Sequence, residues 1–247
     1  MLTEDQVTPS EPSAEDATAF EDAVGRLVQR QLLPRTAPRI EGYDIAAGTT
    51  TEDRGRGHTV WDWMRLGDGR SAIFTYNVQG EGLPPSYDLV AVRAVLRALV
   101  REHSELNEIL FKANAALSGA SVGSGGRFVE CGAAIPGPDG VAWSAAGRVP
   151  AGVIRRDGTF TELGSDGPPL GMMEAFRYGT RTISMGPGDV LVALTEASGG
   201  IFRGAADLVA QVHGKTAGEV VSTLHKAVRR AYGDEARETT ALLIRKH

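Results

Sequence analysis

Few side chains in this sequence have the type and spacing to do chemistry. His58 could ligate a metal ion or act as an acid, but no cysteine or histidine stands at ligand spacing from it, so a structural role is expected. Cys131, the single cysteine, lies inside the apolar run RFVECGAAI with no spaced Cys-His signature around it. A buried structural thiol is expected there rather than a nucleophile. Trp61 and Trp63 fall on one face of a strand and could form a ligand platform, although core packing is the default for such a pair. The turn QGEG, Gln79 to Gly82, has the glycines of a phosphate cradle but is followed by no Lys-Ser/Thr pair. A tight turn is the simpler use of them.

These residues are positioned by elements whose order the apolar pattern predicts. Phe20, Val24, Leu27 and Val28 recur at helical spacing, and Pro34 ends the pattern after Leu32 and Leu33. Strands follow at GYDIAAG, TVWDWMRL and SAIFTYNV, the last two joined by the turn Gly67-Asp68-Gly69. Leu89, Val92, Leu96 and Leu99 mark one helix, and Leu106, Ile109, Leu110, Ala113 and Leu117 a second, with polar residues around His103 between them. The Gly/Ser-rich stretch SGASVGSGG connects these helices to further strands at RFVECGAAI, VAWSAA, AGVIRR, RTISM and DVLVALT. A last helix uses Val220, Leu224 and Val228, and the apolar strand TALLIR closes the chain. Two antiparallel sheets packed together and covered by helices on their outer faces would bury all of these surfaces.

Composition narrows the function. The chain is 42% apolar, 23% charged and carries a formal charge of -5, enough to bury a real core. The acidic balance, with no run of basic residues, argues against nucleic acid or an anionic membrane as the main partner. One cysteine excludes an internal disulfide and any multi-cysteine metal site, which fits a reducing compartment. No apolar run is long enough to cross a bilayer and no signal pattern opens the chain, so a cytoplasmic protein is expected. Residues 1–16 are acidic, Ser/Thr/Pro-rich and poor in large apolar groups, and are expected to form a loose tail ahead of one domain over 17–247.

From about Phe20 to Arg245 the sequence resembles the metal-dependent PPM serine/threonine phosphatases, in the branch containing SpoIIE and RsbU. QRQLLPRTAPRIEGYDIAAG is similar to the family's first helix, Leu-Pro exit and first strand. GHTVWDWMRLGDGR, TYNVQGEG and LVAVRAVLRAL look like its GGDFYD hairpin, DVSGKG turn and following helix. SAAGRVPAG stands where the family has AGHPP, PPLGM where it has PLG, GPGDVLVALTEAS where it has PGD followed by TDG, and RETTALLIR where it has the terminal DDxT strand. The shared order of these motifs, more than any one of them, implies an α+β fold: the PPM-type α-β-β-α sandwich, two packed antiparallel sheets flanked by helices.

The resemblance also implies a chemistry, and residues that fall short of it. In the family, carboxylates hold two Mn²⁺ or Mg²⁺ ions that activate a water for in-line attack on a phosphoryl group. On these motifs the bridging Asp falls on Thr59, the Asp of DVSGKG on Asn77, the Asp of TDG on Glu196, and the terminal pair on Arg237 and Glu238. Asp62 matches a retained Asp of the hairpin, and Arg148 stands for the His of AGHPP. Two central negative charges have gone and Arg237 brings a positive one, so a bridged ion pair is not expected; Glu196 and Glu238 remain as candidates for weak metal binding.

The leading expectation is therefore a pseudophosphatase, without a required cofactor, that binds a protein partner in bacterial phospho-signalling or sigma-factor partner switching. A STAS anti-sigma antagonist, a kinase or an active phosphatase would be that partner, and the Leu-rich first helix could also serve a homodimer. The alternative is a weak Mn²⁺-dependent phosphatase acting on a phosphoserine STAS-type regulator through Glu196 and Glu238, with Asp62 or Asn77. The third reading is a phospholigand sensor in which Arg148 and Arg237 converge on a phosphate.

Overall fold

A computed structural model describes residues 13–50, 57–80, 82–118, 126–195, 212, 214–232 and 238–247. Helix α1, Ala14–Leu32, begins inside the stretch expected to be a loose tail, because Ser13 and Asp16 close a reciprocal capping box at its start. The helix buries Gly25, Gln29 and Leu32 and leaves Phe20 and Leu27 exposed, so its docked face is not the apolar stripe that its periodicity suggests. Gly25 explains this: a Cβ on Gly57, at φ +76°, would lie 2.3 Å from the Gly25 carbonyl carbon, so two glycines let the backbones touch.

Strands β1 (Tyr43–Thr49), β2 (Thr59–Arg65) and β3 (Ser71–Val78) follow, then helices α2 (Pro84–Glu102) and α3 (Leu106–Ser118). Next come β4 (Val129–Gly137), β5 (Gly140–Ala146), β6 (Ala151–Ile154), β7 (Phe160–Leu163), β8 (Arg181–Ser184) and β9 (Val190–Leu194). Helix α4 (Ala217–Tyr232) and strand β10 (Thr240–Lys246) complete the described chain. The expected strands are all present; β7 is additional, a four-residue partner of β6 with two exposed side chains and too little alternation to be read from sequence.

The strands form two five-stranded sheets in the orders β1-β10-β9-β6-β7 and β2-β3-β4-β5-β8, with antiparallel pairing throughout. Three apolar clusters separate four layers. One holds Phe74, Tyr76, Leu89, Leu96 and Leu110 between α1, α2, α3 and the second sheet. Another holds Ile73, Trp143, Leu191 and Ile244 between the sheets, and the third holds Val192, Leu194, Val220, Leu224 and Leu243 under α4. Alternation along β2 thus sends Val60, Asp62 and Met64 toward the helices, and Thr59, Trp61 and Trp63 toward the facing sheet. This is the α-β-β-α sandwich expected from the motifs. No helix among the described residues is long and apolar enough to cross a membrane.

Candidate functional site

Thr59 on β2, Asn77 on β3, Thr195 just after β9 and Thr240 on β10 meet at one end of the two sheets. Register places Thr59 directly opposite Asn77, and Asn77 opposite Glu130 on β4. In the facing sheet Thr49 lies opposite Thr240, and the Thr195 N–H bonds the Thr240 carbonyl at 2.9 Å. The Thr59 hydroxyl crosses between the sheets, 2.6 Å from Thr195 Oγ1 and 3.1 Å from Thr240 Oγ1. Thr240 Oγ1 lies 2.7 Å from Thr49 Oγ1, and the Thr240 N–H donates to Thr195 Oγ1 at 2.9 Å. Four threonine hydroxyls thereby form one chain, buried at Thr59, Thr195 and Thr240 and half-buried at Thr49. Each oxygen can both donate and accept, so the chain is satisfied without any charge.

Glu238 is brought beside this chain but already serves the backbone. Its Oε2 accepts N–H bonds from Gly57 at 2.9 Å and His58 at 3.2 Å, and its Oε1 accepts one from Gln29 Nε2 at 2.6 Å. Gln29, fully buried on α1, donates from the same nitrogen to the Thr59 carbonyl at 2.6 Å. Both neighbours are acceptors, which fixes the amide with its nitrogen inward. Glu238 and Gln29 together tie α1 to the start of β2. Replacing Gln29 with Ala is expected to cost about 2 kcal/mol, because it removes at once a hydrogen bond to the half-buried Glu238 carboxylate and one to the buried Thr59 carbonyl. Urea unfolding checks this, and an unchanged midpoint would contradict the joint.

The other expected residues fall as follows. Glu196 and Arg237 lie outside the described residues. Arg148 is exposed, directly after Gly147 at φ +73°, and no ion pair to it is found among the described residues. His58 is buried, with Nε2 2.8 Å from the Gly82 carbonyl, so it holds the QGEG turn against β2. Cys131 is wholly buried, and desolvation pushes its thiol up to about 12, which leaves almost no thiolate at neutral pH. Trp61 is buried; Trp63 packs against the cluster between the sheets and donates from Nε1 to the Thr36 carbonyl at 3.0 Å. Asp62 is far from a metal ligand's role. Its buried carboxylate pairs with Arg93 at 2.8 Å and Arg97 at 2.9 Å on α2.

Sequence reasoning passed over Glu130 and Gln29. Glu130 extends the Thr59-Asn77 row across three strands and accepts from Gln79 Nε2 at 3.1 Å. Its signal was visible, since it is the one acid in the mostly apolar run RFVECGAAI. Gln29 gave none, because a glutamine on a helix is ordinarily solvated.

Hard dications need several anionic oxygens turned toward one point. Among the described residues, no group of three His, Cys, Asp or Glu is placed to hold a metal ion. Thr59 is committed to the hydroxyl chain, and both oxygens of Glu238 accept N–H bonds. The described donor set does not fit a carboxylate-bridged pair of ions.

Known proteins share both the motifs and the architecture. The family model for SpoIIE, Stage II sporulation protein E, matches residues 67–247. A serine/threonine phosphatase of S. agalactiae superposes with a TM-score of 0.69 at 14% identity, over 83% of this chain and 100% of that one. The RsbU and RsbW domains of a Mycobacterium tuberculosis protein superpose with a TM-score of 0.66 at 21% identity, over 83% of this chain and 62% of that one. The PP2C phosphatase domain of SpoIIE from Bacillus subtilis, solved with a fragment of its regulatory domain, gives 0.64 at 17% identity, over 82% of this chain and 63% of that one. The chain thus spans less than two thirds of the length of the last two. No curated protein sequence is significantly similar to it. The sandwich is that of PP2C-type phosphatases, and by its match from the β2–β3 turn to the last strand the chain belongs to the SpoIIE family.

Proposed function

We propose that the protein is a pseudophosphatase of the SpoIIE family, which keeps the phosphatase frame for protein recognition in a bacterial phospho-signalling or sigma-factor partner-switching pathway. The observation that carries this reading is the Thr59-Thr195-Thr240-Thr49 hydroxyl chain, which fills with neutral groups the place where the family motif calls for a bridging carboxylate. A neutral joint closes the two sheets without a cation. The frame around it is intact, and frames of this kind occur beside an RsbW domain and in the bacterial stressosome in similar structures. A phosphoserine-bearing STAS regulator, a kinase or an active phosphatase is the fitting class of partner. The sensor reading built on Arg148 and Arg237 receives no support from the described residues.

The test is a calorimetric titration of the metal-stripped protein with Mn²⁺, paired with phosphate release from a phosphoserine protein. No saturable heat up to millimolar Mn²⁺ and no release are expected. Micromolar binding with Mn²⁺-dependent turnover, abolished by Glu196→Ala, would overturn the proposal in favour of a weak phosphatase, because both the nucleophile and the transition-state charge depend on the ions.

A further inference from the structure

A cavity of about 680 Å³ opens where β2, the edge strand of its sheet, meets α2 and the segment at Pro34. Its wall carries four arginines, Arg65, Arg93, Arg97 and Arg101, against one carboxylate, Asp62. The volume is that of a small-ligand site, for which the usual range is roughly 300–1,000 Å³. In a chain of formal charge -5 this is a local concentration of the opposite sign.

Ordinary helix solvation does not account for the arrangement. Arg93, Arg97 and Arg101 recur every fourth residue on α2 and so share one stripe, and like charges at that spacing destabilise a helix. Asp62 offsets part of that repulsion. Its carboxylate, 1% exposed, accepts from Arg93 Nε at 2.8 Å and from Arg97 Nη2 at 2.9 Å with both oxygens. Arg65 and Arg101 meet no carboxylate among the described residues; Arg65 donates instead to the Gly69 carbonyl at 2.7 Å. A guanidinium has five N–H donors, and Asp62 engages one nitrogen of each partner, so oriented donors remain on Arg93 and Arg97.

We propose that this cavity recognises a phosphate monoester, held by the forks of Arg93 and Arg97 with Arg65 and Arg101 completing the charge. Asp62 is a positioning residue, which aims two guanidinium groups and never touches the ligand. A phosphate dianion has three terminal oxygens and can engage more than one fork, whereas a carboxylate is satisfied by a single one. Asp62 lies on the helix side of β2, while Thr59 lies on the side between the sheets, so this site stands or falls independently of the pseudophosphatase reading.

The experiment is a calorimetric titration of the full chain at low salt with glucose 6-phosphate, with a phosphoserine decapeptide and with its unphosphorylated twin. Saturable binding of the phosphorylated probes alone is expected, weakening as salt is added. Tighter binding of the phosphopeptide assigns the site to a phosphorylated protein, and tighter binding of the sugar phosphate assigns it to a small metabolite. The Arg65→Ala/Arg101→Ala variant leaves both Asp62 pairs in place and should lose about tenfold in affinity or more. If its thermal midpoint falls, the single Arg101→Gln variant, at an exposed position, replaces it with an expected loss of about threefold. Equal binding by parent and variant, or no saturation by either phosphorylated probe below about 10 mM, would overturn the proposal.

Discussion

Thr59→Asp should lower the unfolding free energy of the metal-free protein by about 3 kcal/mol or more. Thr59 is 1% exposed, and its hydroxyl is 2.6 Å from Thr195 Oγ1, 3.1 Å from Thr240 Oγ1 and 3.4 Å from the Tyr76 carbonyl. A carboxylate placed there would accept from the two hydroxyls, but it would also face the Tyr76 carbonyl and add a second negative charge near Glu238. Thr59→Val removes the hydroxyl without adding charge and should cost only about 1–2 kcal/mol, since Thr195 Oγ1 keeps the Thr240 N–H. The difference between these two variants isolates the charge. Urea unfolding with and without Mn²⁺ adds a second reading: in Thr59→Asp/Asn77→Asp, Mn²⁺ should recover part of the lost stability, and in the parent it should recover none. A Thr59→Asp protein as stable as the parent would mean that the region relaxes to admit solvent, and the hydroxyl joint would lose its meaning.

The second large effect is expected at Asp62. Changing Arg93 and Arg97 together to Ala takes both cations from a carboxylate that is 1% exposed in the parent and leaves it the Trp63 N–H, at 2.9 Å. Stranding a buried charge in this way costs about 3–5 kcal/mol. The arginines are partly exposed, at 28% and 45%, so the reverse change, Asp62→Asn, should cost less, about 1–2 kcal/mol, because water can take over their solvation. The triple variant Asp62→Asn/Arg93→Ala/Arg97→Ala should then be more stable than the double one. That sign reversal is the decisive outcome, and additive losses would show that the three residues do not act as one unit.

Most of the architecture was legible in the sequence because its signals are local. The Gly67-Asp68-Gly69 turn sets β2 against β3, and once that register is fixed Thr59 must face Asn77. Helices α2 and α3 carry apolar residues three and four apart, and all of those marked are buried except Leu99, which is half-buried beside the buried Val100. Where a local signal was absent, the reading missed. Strand β7 is short and half exposed, and α1 docks through Gly25 and Gln29 while Phe20 and Leu27 face outward. Periodicity reports how apolar a face is, not whether a neighbouring backbone comes close enough to need a glycine.

The sequence by itself determined which residue types stand at the positions that resemble the family's motifs, because identity needs no coordinates: Thr59, Asn77 and Glu238 are read directly from the chain. Only the tertiary structure decided what those residues do instead. Thr59 and Thr240 are 181 positions apart, and Gln29 and Glu238 are 209 apart, yet each pair shares a hydrogen bond. Such contacts arise from the packing of two sheets and a helix, and no window along the chain contains both partners. The same holds for Asp62, which reads as a strand residue in sequence and becomes, once α2 lies across β2, the counter-ion that aims two arginines into a cavity.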